Sequence, residues 1–195
     1  MTTACLLRDS EVLAESATHG RSTGAQRVLA DLDRLLGEAG VELGEVDAIV
    51  AGTGPGTFTG LRIGLATAGG LGFSLGVPVR GVGTLDALLC GEGVQVALVD
   101  ARRGEVFAKG EGVELGAYTP ARLRDLLADG TVVGGDGAVR YREQLAGLEI
   151  PPDGSSLHVP WARHHAGLVE RAGDPLPVYV RRPDADRVLA GGGPS

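Results

Sequence analysis

The sequence is poor in the residues that build disulfide, metal or membrane proteins. Its 2 cysteines, Cys5 and Cys90, stand alone without metal or redox spacing. This argues against a disulfide framework and for a reducing compartment, the cytoplasm. An uncharged stretch at 63–79 is mostly glycine and alanine and contains Pro78. It falls short of the about 20 apolar residues that a membrane span needs, so a membrane protein is not expected.

Positive charge is also scarce. The chain has 18 Lys and Arg against 25 Asp and Glu, which gives a formal net charge of −7. Nonspecific binding to nucleic acid draws on many contacts from Lys and Arg to phosphate. Broad binding through this chain alone is therefore not expected, although a local basic patch stays open. At 195 residues the chain suits one domain or two small lobes and is long enough to fold without disulfides.

Glycine, in contrast, is abundant. The 33 glycines include a dense turn at 52–64 with the sequence GTGPGTFTGLRIG. An apolar run at 46–51 before this turn predicts a buried strand, and the pattern at 61–75 after it predicts a helix. Thr57 and Thr59 lie where a hydroxyl caps the start of that helix.

The glycine turn leaves two interpretations open. Backbone N–H groups at a helix start favour an anion, which makes Gly54, Gly56 and Thr57 candidate contacts to a nucleotide or tRNA. The alternative is a purely structural turn. Neither common phosphate-loop spacing is present, because a dinucleotide loop has glycine where Thr57 stands, and a Walker-type loop has Lys after its last glycine, whereas Leu61 follows Gly60.

The helix at 61–75 and the residue before it carry small residues four positions apart, which line one face: Gly60, Gly64, Ala68 and Gly72. Leu61, Leu65 and Phe73 flank this bare face. Glycine inside a helix costs about 1 kcal/mol relative to alanine, so close packing against another helix is the expected reason for these residues. That second helix belongs either to the same domain or to another subunit, and both interpretations stay open.

Strand and helix patterns alternate through the rest of the chain. An amphipathic helix is expected at 23–39, where Thr23 and Gln26 form a capping box before the stripe of Val28, Leu32, Leu35 and Ala39. The other predicted elements are strands at 4–7, 11–14, 79–82, 94–99, 105–109, 131–133 and 178–180, and helices at 85–90, 120–128 and 162–171. This mixture predicts an α/β architecture of two lobes, residues 1–92 and 93–195.

Two turns in the second half carry polar candidates. The hairpin from Asp100 to Glu105 includes Arg102 and Arg103, and an exposed salt-bridge cluster is its ordinary interpretation. A contact from these arginines to tRNA or to a partner is the alternative. The glycine-rich turn at 134–137 includes Asp136, which is a candidate nucleotide contact if the turn is not simply a tight bend.

His164 and His165 form the one adjacent histidine pair. Neighbouring residues on a helix point in different directions, and no carboxylate has ligand-like spacing to them. We expect a solvated or helix-capping role for the pair and no metal site.

Four segments together resemble one protein family. They are 54–64 (GPGTFTGLRIG), 81–87 (GVGTLDA), 99–107 (VDARRGEVF) and 175–185 (PLPVYVRRPDA). In order and spacing these segments are similar to the bacterial tRNA threonylcarbamoyladenosine biosynthesis family TsaB, also called YeaZ. They span most of the chain, so the resemblance does not depend on one motif.

The resemblance implies an α/β, two-lobed actin/Hsp70-like fold of the ribonuclease H-like type. It also implies a role in adding threonylcarbamoyl to the adenosine beside the anticodon of tRNAs that read codons beginning with A. In that family the reaction is credited to the paralogue TsaD, with TsaE as an ATPase, while the TsaB-type subunit pairs with TsaD without catalysing the reaction. The implied partners are a TsaD-like paralogue, a TsaE-like ATPase and, indirectly, tRNA. A homodimer is a candidate state, no cofactor is expected, and ATP and magnesium are expected only in the assembled complex.

The resemblance further implies where a partner binds. The family pairs through the first two helices of its N-terminal lobe, which correspond here to 23–39 and 61–75. The candidate partner-binding residues are therefore Val28, Leu32, Leu35, Gly60, Leu61, Gly64, Leu65, Ala68 and Gly72.

The sequence departs from the family pattern in two places. Thr84 and Leu88 stand where TsaD has two metal-binding histidines, and neither replaces an imidazole. The family's first strand, which carries an Asp-Thr-Ser/Ala-Thr turn and lies between the strands at 4–7 and 46–51, has no counterpart. We expect a start site placed too late by roughly 10 residues, since a strand of about 5–6 residues and a turn are missing. An intact mass of the native protein equal to residues 1–195 would contradict this expectation.

Two other functions are weighed against this one. A stand-alone nucleotide-dependent phosphotransferase or ATPase of the same superfamily is disfavoured by the missing first strand and by the lack of a clear acidic metal pair. A metallopeptidase is disfavoured by the absence of the two histidines.

Overall fold

The computed structural model describes residues 1–18 and 25–180. The chain begins with an antiparallel hairpin of β1 (Thr2–Arg8) and β2 (Glu11–Thr18), in which Thr2 pairs with Thr18 and Arg8 with Glu11. The predicted hairpin is confirmed, and both strands are longer than the sequence pattern indicated.

Helix α1 (Ala25–Ala39) packs on this hairpin. Its apolar stripe is turned inward, with Leu35 buried and Val28 and Leu32 half-buried. Gly40 ends the helix in the left-handed region (φ 63°), and Val41 N donates to Leu36 O (3.0 Å). The predicted capping residue Thr23 lies outside the described residues.

A β-α-β unit follows, made of β3 (Ile49–Gly54), α2 (Phe58–Leu75) and β4 (Val79–Gly83). The two strands are parallel, with Ile49 opposite Val79, and α2 crosses between them. Thr57 caps α2, because its Oγ1 accepts a hydrogen bond from Gly60 N (3.3 Å). This confirms the cap that the sequence predicted and moves the helix start from 61 to 58.

Helix α3 (Thr84–Leu89) leads into a four-stranded sheet. The sheet contains β5 (Val96–Arg102), β6 (Glu105–Gly110), β7 (Val113–Tyr118) and the short β8 (Val133–Gly134), in the order β7-β6-β5-β8, with α4 (Pro120–Leu126) before β8 and α5 (Asp136–Arg140) after it. Strand β7 and helix α5 were not predicted. The core of this half includes Val96, Leu98, Val106, Leu123, Val133 and Leu145.

Helix α3 joins the two halves. Its Leu85 and Leu88 are buried in one cluster with Ala97 and Val99 of β5. The Asp86 carboxylate on α3 also forms a salt bridge with Lys109 Nζ of β6 (2.5 Å). Because α3 also contacts β3 and β4, it packs in both halves of the fold.

The end of the described chain returns to the first half. Helix α6 (Ala162–Gly167) contacts β1 and β3, and Gly173 pairs with Gly81 of β4. The predicted strand at 178–180 is wrong, since these residues are irregular. Pro175 and Pro177 supply no N–H donor, so this segment cannot form a continuous ladder.

The first half holds two separate two-stranded sheets, β1-β2 and β3-β4. Helix α6 contacts β1 of one sheet and β3 of the other. Among the described residues, β1 and β3 do not pair with each other. Among the described ranges, no helix combines the length and apolar character of a membrane span.

Candidate functional site

The glycine turn is packed tightly at Gly54 and exposed at Gly56 and Thr57. Gly54 is buried in the left-handed region (φ 98°), and a Cβ there would lie 2.9 Å from Leu61 Cδ1 and 3.3 Å from Val178 O. Gly56 and Thr57 are exposed, but the Thr57 hydroxyl already serves as the cap of α2. These contacts fit the structural interpretation of the turn. The anion interpretation stays a prediction that concerns the exposed Gly56 and Thr57.

The predicted small-residue face of α2 is directed mainly inward. Ala68 and Gly72 are buried. A Cβ on Gly72 would overlap Val79 Cγ2 of β4 and lie 3.2 Å from Val77 O. For Gly64, by contrast, no atom of the structurally described segments lies within 4 Å of a Cβ built there. Close packing within the chain therefore explains the C-terminal part of this face, and the close neighbour of Gly72 is a strand rather than the expected helix.

Three of the candidate partner-binding residues are thus unavailable in the folded chain: Leu35, Ala68 and Gly72. Each is buried, so none offers surface to another subunit. Leu61 and Leu65 are half-buried, as are Val28 and Leu32 on α1, and Gly60 lies beside the Thr57 hydroxyl. The two helices remain candidates for pairing, but their outward residues are others.

The solvent side of α2 carries a row of exposed residues, here called the outer stripe: Arg62, Ala66, Gly69, Gly70 and Phe73. The sequence analysis named Phe73 as a neighbour of the small-residue face and missed the row as a whole. Phe73 is 92% exposed. In the described part of the chain, no atom lies within 4 Å of a Cβ built on Gly69 or Gly70. Arg62 lies two positions beyond Gly60, about 200° around a helix of 3.6 residues per turn, so the stripe is nearly opposite the predicted face. The feature of the sequence that could have indicated the outer stripe is the absence of Asp and Glu throughout α2.

An aromatic cluster of Phe58, Arg62 and Tyr179 lies at the N-terminal end of the outer stripe. The Phe58 and Tyr179 ring centroids are 5.6 Å apart at 38°, and Arg62 Cζ lies 3.7 Å from the Phe58 ring centroid. The two rings are 41% and 43% exposed. Val178 N donates to Thr53 O (2.8 Å), which fixes the segment that carries Tyr179 beside the glycine turn.

The polar turns of the second half are occupied by internal contacts. Asp100 has a buried side chain, 6% exposed, that pairs with Arg102 (3.2 Å) and Arg140 (3.5 Å). Asp136 Oδ1 accepts a hydrogen bond from Asp100 N (2.9 Å). The salt-bridge interpretation of Arg102 is confirmed, and Arg103 also interacts within the chain.

The glycine-rich turn at 134–137 packs against the backbone of β5. Gly135 has a φ of 103°, and a Cβ there would overlap the carbonyl oxygen of Leu98. A Cβ on Gly137 would lie 3.0 Å from the carbonyl carbon of the same residue. These contacts explain both glycines as parts of a tight turn, so the packing requires them without any ligand.

The histidine pair lies on α6 and faces the protein. His165 is buried and its Nδ1 lies 3.0 Å from Trp161 O, while its Nε2 has no hydrogen-bond partner among residues 1–18 and 25–180. Burial lowers the pKa of His165 and of His164. His164 Nδ1 lies 3.0 Å from Ala87 O. A solvated role is therefore wrong for His165, which is a packed residue. Within the described ranges, no three His, Cys, Asp or Glu side chains are grouped so as to hold a metal ion.

A family model described as TsaD, tRNA N6-adenosine threonylcarbamoyltransferase, matches residues 22–124, more than half of the 195 residues. The TsaB protein of Bacillus subtilis, described as a tRNA threonylcarbamoyladenosine biosynthesis protein, is 29% identical over 157 residues, 78% of this chain and 66% of its own. The chain belongs to this family, as a TsaB/YeaZ-type member.

Two uncharacterized mycobacterial proteins are also similar to the chain, which covers different shares of their lengths. An uncharacterized protein of Mycobacterium tuberculosis is 35% identical over 185 residues, which is 91% of this chain and 84% of the relative. The chain spans about half, 51%, of an uncharacterized Mycobacterium leprae protein that is 34% identical.

Solved structures confirm the fold. The YeaZ structure from Pseudomonas aeruginosa has a TM-score of 0.70 and 27% identity, covering 91% of this chain and 93% of that chain. The architecture is therefore the expected α/β, actin/Hsp70-like fold with two lobes.

Proposed function

We propose that this chain is a non-catalytic, cytoplasmic subunit in the biosynthesis of threonylcarbamoyladenosine in tRNA. It binds a TsaD-type paralogue through the outer stripe of α2 and leaves the chemistry to that partner. The single observation that carries the proposal is the uncharged outer side of α2 between Arg62 and Phe73, in a chain whose named relatives are tRNA threonylcarbamoyladenosine biosynthesis proteins.

The residues at the would-be metal site support a non-catalytic role. Leu88 is buried in the cluster of α3 with β5, and Thr84 is the first residue of α3. Both stand where the resemblance places the metal-binding histidines of TsaD. A leucine packed in the core provides no ligand for a metal ion, so the catalytic machinery is assigned to the partner.

The shape of the outer stripe supports protein docking. Gly69 and Gly70 leave the helix backbone bare, which lets a partner helix approach closely. Phe73 projects from the same side and is 92% exposed. Large aromatic residues contribute most of the binding energy in many interfaces. Phe73 is therefore the proposed anchor of the complex, and the bare backbone beside it is the surface on which the partner lies.

A pair of matched substitutions tests this surface. Phe73→Asp should weaken binding to the TsaD-type partner by roughly 30-fold or more, because loss of an anchor costs about 2 kcal/mol or more. Gly69→Arg should act in the same direction by filling the bare backbone. Leu126→Asp is the control, since Leu126 is 53% exposed at the end of α4 in the other half of the fold.

Binding is measured by calorimetry with the full chain and the partner, and thermal melting of each variant checks that it folds. The modification assay, with the TsaE-type ATPase, ATP and magnesium, is run with and without this chain. Equal binding by the Phe73 and Leu126 variants would contradict the surface. Modification that proceeds equally well without this chain would contradict the supporting role. If the chain alone is a homodimer, Phe73→Asp also reports whether the outer stripe serves that contact.

A further inference from the structure

Arg62 is the one charged residue of α2, an 18-residue helix. Several other arginines of the chain are paired with carboxylates, among them Arg34 with Glu38 (2.5 Å) and Arg142 with Asp153 (2.7 Å). Arg62 forms no salt bridge within the described ranges, and its guanidinium lies over the Phe58 ring instead. Its charge is thus exposed at the end of an otherwise uncharged stripe.

The aromatic cluster holds this charge in a defined place. Phe58 supports the guanidinium at 3.7 Å, and Tyr179 supports Phe58 at 5.6 Å. A guanidinium stacked on an aromatic ring still has its in-plane N–H groups free to donate hydrogen bonds. It is also less strongly hydrated than an ammonium group. Because the side chain is already ordered, less conformational entropy is lost when it binds a partner. These are the properties of an arginine that pairs with a carboxylate across an interface.

We propose that the aromatic cluster binds a carboxylate of the protein partner, with Arg62 as the residue that sets the register of the partner along the outer stripe. This inference rests on the proposed function, because the partner is the protein that covers the stripe. The partner segment therefore combines an apolar surface opposite Ala66 to Phe73 with an Asp or Glu opposite Arg62. A nucleic acid is the less suitable occupant, since the stripe is uncharged beyond Arg62 and the chain has a net charge of −7.

Charge reversal with a matched control tests the proposal. Arg62→Glu should weaken binding to the TsaD-type partner at least tenfold, because it places like charges together in the interface. Arg122→Glu makes the same change of charge at an exposed position on α4 and should leave the affinity unchanged. Arg62→Lys should fall between them, since it keeps the charge and loses the stacked planar donor.

Salt dependence separates a charge contact from simple packing. Affinity of the unaltered chain should fall as sodium chloride is raised, whereas the affinity of Arg62→Glu should change less or rise. Thermal melting of each variant checks that it folds. Phe58→Leu removes the ring but keeps an apolar side chain, and it should weaken binding less than Arg62→Glu.

The outcomes distinguish this inference from the proposed function. If the unaltered chain does not bind the TsaD-type partner, both fail. If it binds and Arg62→Glu equals Arg122→Glu, the carboxylate contact is refuted while the pairing stands. A synthetic anticodon stem-loop RNA is the second probe: loss of RNA binding by Arg62→Glu with normal protein pairing would overturn the proposal and assign the cluster to nucleic acid.

Discussion

Two glycines on opposite sides of α2 should respond in opposite ways to the same substitution. Gly70 lies on the outer stripe, and no atom of the described residues lies within 4 Å of a Cβ built there, whereas a Cβ on Gly72 would overlap Val79 Cγ2. Gly70→Ala should therefore stabilise the chain by about 1 kcal/mol through helix propensity. Gly72→Ala should lose that gain to steric overlap.

The magnitude of the difference follows from the neighbours of Gly72. Val79 has a stiff χ1 angle, and the other close atom, Val77 O at 3.2 Å, belongs to the backbone. Overpacking of this kind costs about 1–3 kcal/mol. The helix-propensity gain is similar at both positions, so the two variants should differ by about 1–3 kcal/mol in free energy of unfolding. A chain of this size changes its Tm by about 2–4 °C per kcal/mol.

Thermal and urea unfolding of the two variants measure this difference, and a third variant identifies its cause. Val79→Ala removes the overlapping methyl group, so the double variant Gly72→Ala with Val79→Ala should be less destabilised than the sum of the single changes. Equal Tm values for Gly70→Ala and Gly72→Ala would refute the inward packing of Gly72. Additive effects in the double variant would refute Val79 as the cause.

Three further predictions concern other contacts. Burial lowers the pKa of His165 from its ordinary 6.5. The stability that neutral, buried His165 contributes is therefore complete above pH 6.5 and is lost as the pH falls through the lowered folded-state pKa. Replacing this residue, as in His165→Asn, should flatten the decline in Tm between pH 7 and 5. Thr57→Ala should cost about 1 kcal/mol in urea unfolding through loss of the α2 cap, and Thr57→Ser should restore most of it. Asp136→Ala should cost about 1 kcal/mol through the lost bond to Asp100 N, whereas Asp125→Ala, at an exposed position on α4, leaves that bond intact and serves as its control.

The local patterns of the sequence were sufficient to place most of the elements. The apolar run before Gly52 predicted β3, the hydroxyl of Thr57 predicted the cap of α2, and the alternating residues from Val94 predicted the strand that became β5. These features depend on backbone propensity and on contacts within a few residues, so one sequence contains them. The closing strand failed at 178–180 because its pairing depends on a distant partner, and the only described contact of this kind is Val178 N to Thr53 O.

The orientation of α2 was a question that only the tertiary structure could decide. The sequence established that the helix has a bare face at Gly60, Gly64, Ala68 and Gly72, and it left open whether that face meets its own domain or another subunit. The spacing of small residues cannot decide between these two cases, because a helix face that packs inside its own domain has the same pattern as one that packs against another subunit. The fold buried Ala68, turned Gly72 toward Val79 of β4 and left Arg62 and Phe73 in solvent, since the crossover between two parallel strands buries one side of the helix. The family and the glycine turn were thus determined by the sequence alone, whereas the surface offered to a partner depended on which side of one helix the sheet covers.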